Sequence, residues 1–238
     1  MATQVWNARL VMISRPVFSY TIASRLIDTA AFMGTSRRND AERIGKSSRG
    51  GVIVSERISR MPRYSPFIDG LLSDSSLLQK HRPTESANPA TAIRIRKATD
   101  TELTGGKEIT SETLFPLVRG GLLYAVDAID ESYRIAQQFG DETGSYWQGM
   151  IHRRKGDFDN ARYWFRRVGS HPVFGELHHA AAGVSPDMAK QSSWDPYLFV
   201  GLCEREKFGD DHHRGELIKL QRIEFDALFD YIWRKSFE

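Results

Sequence analysis

The stretch Gly144–Pro172, GSYWQGMIHRRKGDFDNARYWFRRVGSHP, admits few folds. Apolar residues fall at Trp147, Met150 and Ile151, then at Phe158, Ala161, Trp164, Phe165 and Val168. Steps of three and four place each set on one helical face. The pattern predicts a helix from Ser145 to Arg154, a turn at Gly156-Asp157 and a second helix from Asp159 to Val168. Gly156 supplies the positive φ that closes the first helix. Asp157 or Asp159 accepts from the free N–H groups that open the second. Gly149 and Ala161 are small enough for close approach. Gly169 ends the second helix, and Pro172 follows shortly after, as past a helix end.

An earlier copy of the hairpin is legible. A shift of 29 residues places Gly149 on Gly120 and the run Asp157 to Ala161 on Ala128 to Ser132. From the second position of that run, apolar, acid, polar and small residues agree in order. The shift predicts helices over Leu114 to Ala125 and Asp130 to Phe139. Val173 to Leu177 reads as a turn or short helix, and Ala180 to Ser193 as a loop containing Gly183 and Pro186. At Trp194-Asp195-Pro196 a new helix begins, with Asp195 as N-cap and Pro196 at the first helical position, where its missing N–H is harmless. It runs to Lys207, and Phe208 to Gly215 is a polar loop. The last and longest helix is Glu216 to Lys235. Leu217, Leu220, Ile223, Ala227, Leu228, Tyr231 and Ile232 form one stripe on it, and Phe225, Phe229 and Trp233 form a second row that widens the buried face.

Gly149, Gly156, Phe158, Ala161, Phe165 and Pro172 resemble a tetratricopeptide repeat. That unit has a small residue in helix A, an Ala-x3-Phe in helix B and a closing proline. Pro172 stands one residue short of the family's proline. Ser145 stands where the family has Trp, and Gln148 where it has Leu. The run from Tyr146-Trp147 through His152-Arg153-Arg154 to His171–Phe174, with the later Trp194 to Glu204 segment, also resembles a bacterial protein family of no established activity. The tetratricopeptide resemblance implies that helix A lines a concave groove, faced here by Tyr146, Met150, Arg153 and Arg154. It implies peptide binding there, and arginine forks suit an acidic peptide. The competing reading makes these arginines, with Lys155, Arg162, Arg166 and Arg167, a solvated face neutralised by Glu142, Asp157 and Asp159.

The N-terminal side has a different character. Of 26 aromatic residues, 20 follow residue 108. Residues 1–108 carry 17 basic and 10 acidic side chains, net +7, whereas 109–238 carry 16 and 20, net −4. The overall +3 is therefore the sum of two unlike halves, and the basic balance does not describe a globular surface. Residues 1–108 are expected to be mostly irregular and disordered, with the domain boundary at Gly105-Gly106. Short strands at Val52 to Ile58 and Ala92 to Ile95 and a short helix at Phe67 to Leu78 are expected within them. Three origins remain open for the Arg- and Ser-rich start: a tail, a transit-like segment, or an early start codon upstream of Met33 or Met61. Ser36 to Gly51 has too little to bury to offset backbone ordering of about 1–2 kcal/mol per residue.

The fold class expected is all-α: antiparallel helical hairpins behind an irregular N-terminal region, with the long last helix as a cap. No run of about 18 apolar residues suggests a membrane span. One cysteine, Cys203, excludes an intrachain disulfide and reads as a small core residue. Thr104 to Lys107, TGGK, lacks the rest of a phosphate loop. The adjacent pairs His178-His179 and His212-His213 lack the spacing of metal ligands. No cofactor or metal site is expected. The leading function is a non-catalytic, cytoplasmic protein-interaction or scaffold module. One alternative is a small hydrolase or transferase using His152, or a loop histidine, with Asp157 or Glu176. Another is nucleic-acid binding through the basic N-terminal region.

Overall fold

A computed structural model describes residues 64–83, 86, 88–207 and 213–238. The expectations for the start of the chain, the Ser36 to Gly51 stretch and the Val52 to Ile58 strand lie outside those residues, as do Phe208 and His212. Among the described residues the protein is all-helical, with eleven helices and no strand.

The second predicted hairpin forms where the sequence places it. Helix α6 is Glu142–Lys155 and helix α7 is Phe158–Val168. Asp141 caps α6 by accepting from the Gly144 N–H, which starts the helix three residues before the predicted Ser145. Gly156 ends it at φ 72°, and Asp157 accepts from the Asn160 N–H to open α7. Phe158, Ala161, Phe165 and Val168 are buried, but Trp164 is only half-buried, so the core does not take it. Gly149 is required by contact: a Cβ there would stand 2.7 Å from the Phe165 ring.

The earlier copy is present as α4, Pro116–Ala125, and α5, Ile129–Ala136. Gly120 holds the place of Gly149 and admits Ile135, 3.3 Å from where a Cβ would sit. The 29-residue shift also aligns the turns. Gly156 falls on Asp127, which has φ 62°. Aspartate is one of the few non-glycine residues that enters this left-handed region readily.

Ahead of the hairpins lie α1, Pro66–Leu72, α2, Pro89–Lys97, and α3, Asp100–Thr104. They correct two expectations. Ala92 to Ile95 is helical, because Asn88 caps the segment and Pro89 occupies the first turn. The expected border at Gly105-Gly106 is a turn inside one packed body, since Ile68, Leu77, Leu78, Ala92, Ile95 and Leu103 share the core of the hairpins. Arg119 of α4 donates to the Ile95 carbonyl at 2.6 Å and ties α2 down. The expected Phe67 to Leu78 helix stops at Leu72, and Leu78 sits buried at φ 60° in the strap that follows.

After the hairpins, α8 is Phe174–Ala182 and α9 is Pro186–Ala189. The expected Ala180 to Ser193 loop is thus partly helical, with Ser185 capping α9. Helix α10 is Pro196–Lys207, and Asp195 accepts from the Tyr197 and Leu198 N–H groups as its sequence predicts. Helix α11, Arg214–Lys235, is the longest. Its second aromatic row, Phe225, Phe229 and Trp233, is buried. This helix lies across the inward faces of the first helix of each hairpin. Phe229 meets Gly121 of α4, and Phe225 packs on Tyr124 of α4 and Trp147 of α6.

Candidate functional site

The position of α11 decides the fate of the predicted groove. Tyr146, Met150, Arg153 and Arg154 do project from the inward face of α6, but α11 and its neighbours cover them. All four are buried, the two arginines with 1% of their surface exposed. They form no groove open to a peptide. The groove faces inward, and the chain's own last helix fills it.

The covering helix brings the charge that one buried cation needs, and the turn of the first hairpin supplies the other's. Arg153 donates both terminal nitrogens to the Glu224 carboxylate, with Nη1 at 3.0 Å from Oε1, and Tyr146 Oη donates to the same Oε1 at 3.3 Å. The guanidinium carbon stands 3.8 Å above the centre of the Phe199 ring. Burial works against the Arg153 charge, but Glu224 outweighs it and raises the arginine pKa. Arg154 turns the other way. It donates to the Asp127 carboxylate, to the Tyr124 carbonyl at 2.8 Å and to the Lys80 carbonyl at 2.8 Å. The first hairpin's turn residue therefore neutralises a cation of the second. For these two arginines the expected neutralisers are not the ones used: Glu142 is exposed at the start of α6, Asp157 caps α7, and Asp159 pairs instead with Arg162.

A second buried charge site went unread in the sequence. Glu206 of α10 receives His81 Nε2 at 2.7 Å, Arg82 Nη2 at 3.1 Å and Arg214 Nε at 3.0 Å. These residues line a cavity of about 340 Å³ with Gln79, Lys80 and Ile218. Burial is the largest influence on both titrating groups. It lowers the His81 pKa against the pull of Glu206, while Arg82, His81 and Arg214 overcome it to lower that of Glu206. A signal for these carboxylates exists in the sequence. Glu224 stands four residues from both Leu220 and Leu228 in the apolar stripe of α11, and Glu206 stands three residues beyond Cys203. A carboxylate on a buried stripe demands a partner.

The other candidates are dispersed. His152 Nδ1 meets Asp157 Oδ2 at 3.0 Å, and its ring lies edge-on to Tyr133. The same carboxylate receives the Asn160 side chain at 2.7 Å. Glu176 lies on exposed surface of α8, away from that pair in the sequence of elements. His178 bonds the Gln191 carbonyl, His213 pairs with Glu216, and His179 is exposed. Among the described residues no group of three His, Cys, Asp or Glu side chains is arranged to hold a metal ion. Cys203 is buried, and burial first of all pushes its thiol up to about 12. It is a core residue without thiolate chemistry near neutrality.

What the core leaves outside is the outer face of α7. Tyr163 is 48% exposed, and Arg166 and Arg167 are exposed beside it. No helix among the described residues is long and apolar enough to cross a membrane. Compared with protein families, curated proteins and solved structures, the chain matches none.

Proposed function

We propose that the helical body is a non-catalytic protein-interaction module, built from tetratricopeptide-like hairpins and working in the cytoplasm. The observation that carries the reading is the outer face of α7. The other described tryptophans, Trp147, Trp194 and Trp233, are buried, whereas Trp164 stays half-exposed next to Tyr163 and two arginines. Trp, Tyr and Arg are the residues that dominate protein interfaces. The inward chemistry is already consumed, because Arg153, Arg154 and Glu206 each have internal partners. The test is selection of peptides from a displayed random library by the full chain. Peptides that bind the native chain but not the heat-unfolded one support the reading. No enrichment over the unfolded control removes it.

A hydrolase or transferase has one observation on its side, the His152–Asp157 contact. That carboxylate also serves as the cap of α7 and as acceptor for Asn160, and among the described residues the His152 ring makes no hydrogen bond to a hydroxyl or thiol. Turnover of ester or phosphoester substrates that disappears in His152→Gln would install this reading in place of the first.

A further inference from the structure

We propose that the outer face of α7 docks an acidic segment of a partner protein, with an aromatic or branched apolar side chain of that segment entering the concavity at the helix's C-terminal end. This rests on the interaction reading above and adds to it a surface and a partner chemistry.

Helix α7 buries Phe158, Ala161, Phe165 and Val168 on one side. Arg166 and Arg167 stand three and four residues from Tyr163 on the opposite side, and all three are exposed, as is Ser170 just past the helix end. The stripe is organised. Tyr163 sets its ring at 79° to that of Trp164, with centroids 5.2 Å apart, and the Arg167 guanidinium lies 5.5 Å from the Trp164 ring centre. A guanidinium resting on an indole has lost part of its freedom before any ligand arrives, so less is lost on binding.

The charges on this face are unequal. Arg162 is already neutralised by Asp159 and by Glu204 of α10. Arg166 and Arg167 have no carboxylate partner among the described residues. They form a cationic patch within a half-chain whose net charge is −4. Two planar forks, each able to grip a carboxylate with parallel hydrogen bonds, suit an acidic peptide. A nucleic-acid strand asks for a longer basic track than two arginines.

Ser170 leads from the stripe into a concavity of about 470 Å³. Phe174, Trp194, Pro196 and Tyr197 supply its apolar wall, and Tyr197 is 41% exposed. An extended segment that lays acidic residues over Arg166 and Arg167 can place its next large side chain there.

The probe is a fluorescein-labelled peptide of eight glutamates around a central phenylalanine, titrated into the full chain at low and moderate salt. Saturable binding is expected. It should weaken about tenfold or more in Arg166→Glu/Arg167→Glu, which corresponds to about 1.4 kcal/mol or more, and should weaken again when the peptide's phenylalanine becomes alanine. Tyr163→Ala should also weaken it. Arg134→Glu should not, because it changes an exposed α5 position 29 residues earlier, equivalent to Tyr163. All the changed side chains are exposed, and matching thermal melts check that each variant folds. Binding that survives the double charge reversal overturns the α7 site and leaves the interaction reading standing. Failure of library selection itself overturns both. An oligothymidine that binds more tightly than the peptide and is lost in the same variant overturns the acidic partner in favour of a nucleic acid. Self-association abolished by that variant overturns it in favour of a second copy of this chain.

Discussion

The two hairpins solve one geometry with different chemistry. Both need a left-handed residue between their helices. The second uses Gly156 at φ 72° and the first uses Asp127 at φ 62°. In the second, Asp157 caps the following helix; in the first, the corresponding Ala128 offers no side-chain cap. The inward faces differ more. Tyr124 and Ala125 of α4 align with Arg153 and Arg154 of α6. At these two positions the first hairpin turns apolar surface inward, and the second turns buried charges inward that need partners elsewhere. One of those partners is Asp127 itself. The less favourable turn residue of the first hairpin thus serves the second as a counter-charge. Repetition in sequence does not require each copy to be stable in the same way. It requires only that the copies pack.

This difference can be broken from the charge side, where the largest effect is expected. Glu224→Leu leaves Arg153 buried without a counter-charge and should destabilise by about 3–5 kcal/mol in urea unfolding. Arg153→Met combined with Glu224→Leu makes the second hairpin resemble the first and should recover most of that loss. A double variant no more stable than Glu224→Leu would show that the pair, rather than apolar burial, holds α11 against α6.

The packing side of the comparison gives intermediate effects. In Gly149→Ala the new Cβ would meet Phe165 at 2.7 Å, and in Gly120→Ala it would meet Ile135 at 3.3 Å. Overpacking costs about 1–3 kcal/mol, so the first variant should fall in that range and the second well below it. Equal melting temperatures would mean that the two hairpins are not packed to different tightness. At the turn, Gly156→Val should cost about 1–2 kcal/mol for a left-handed residue, with more added by the branch at Cβ. An unchanged melting temperature would count against the left-handed turn.

Much of this was legible because the governing forces are local. The caps at Asp157 and Asp195, the turn at Gly156 and the spacing of Gly149 against Phe165 all act within a few residues or one turn of the chain. The 29-residue shift even aligned two left-handed positions of different residue type. Segment Ala92 to Ile95 was misread for a physical reason. Ile93-Arg94-Ile95-Arg96 alternates like a strand, yet Asn88-Pro89 starts a helix in which Ala92 and Ile95 share the buried face and Ile93 is left 43% exposed. The groove was misread for another reason. Arg153 and Arg154 look like surface cations until Glu224 and Asp127, 71 and 27 residues away, are brought to them. The path of α11 decides the first pairing, and the packing of one hairpin on the other decides the second. Trp164, apolar and correctly spaced, reads as part of the packed face, because periodicity cannot tell a wide buried face from a half-exposed edge.

The smallest expected effect concerns pH, and it again separates the hairpins, since α4 and α5 contain no histidine. His171 follows the second hairpin, stacks on Tyr146 at 16° between planes and meets Thr143 Oγ1 at 3.2 Å. Burial lowers its pKa from 6.5 to about 4, against the opposing pull of Glu142 and Asp141. Between those two values the unfolded chain binds a proton at this position and the folded chain does not. Stability contributed here is therefore complete above pH 6.5 and is lost as the pH falls toward 4. His81, also lowered by burial, adds to the slope in the same direction. Urea midpoints measured from pH 7.5 to 5 should decline in the wild type and decline less steeply in His171→Gln. Restricting the window to pH 5 and above keeps carboxylate protonation out of most of the signal. An identical slope in the two proteins would mean that His171 takes up its proton in the folded state as readily as in the unfolded one. The ring would then have to stand open to water, and its stacking on Tyr146 would not be the packed contact that closes the end of α6.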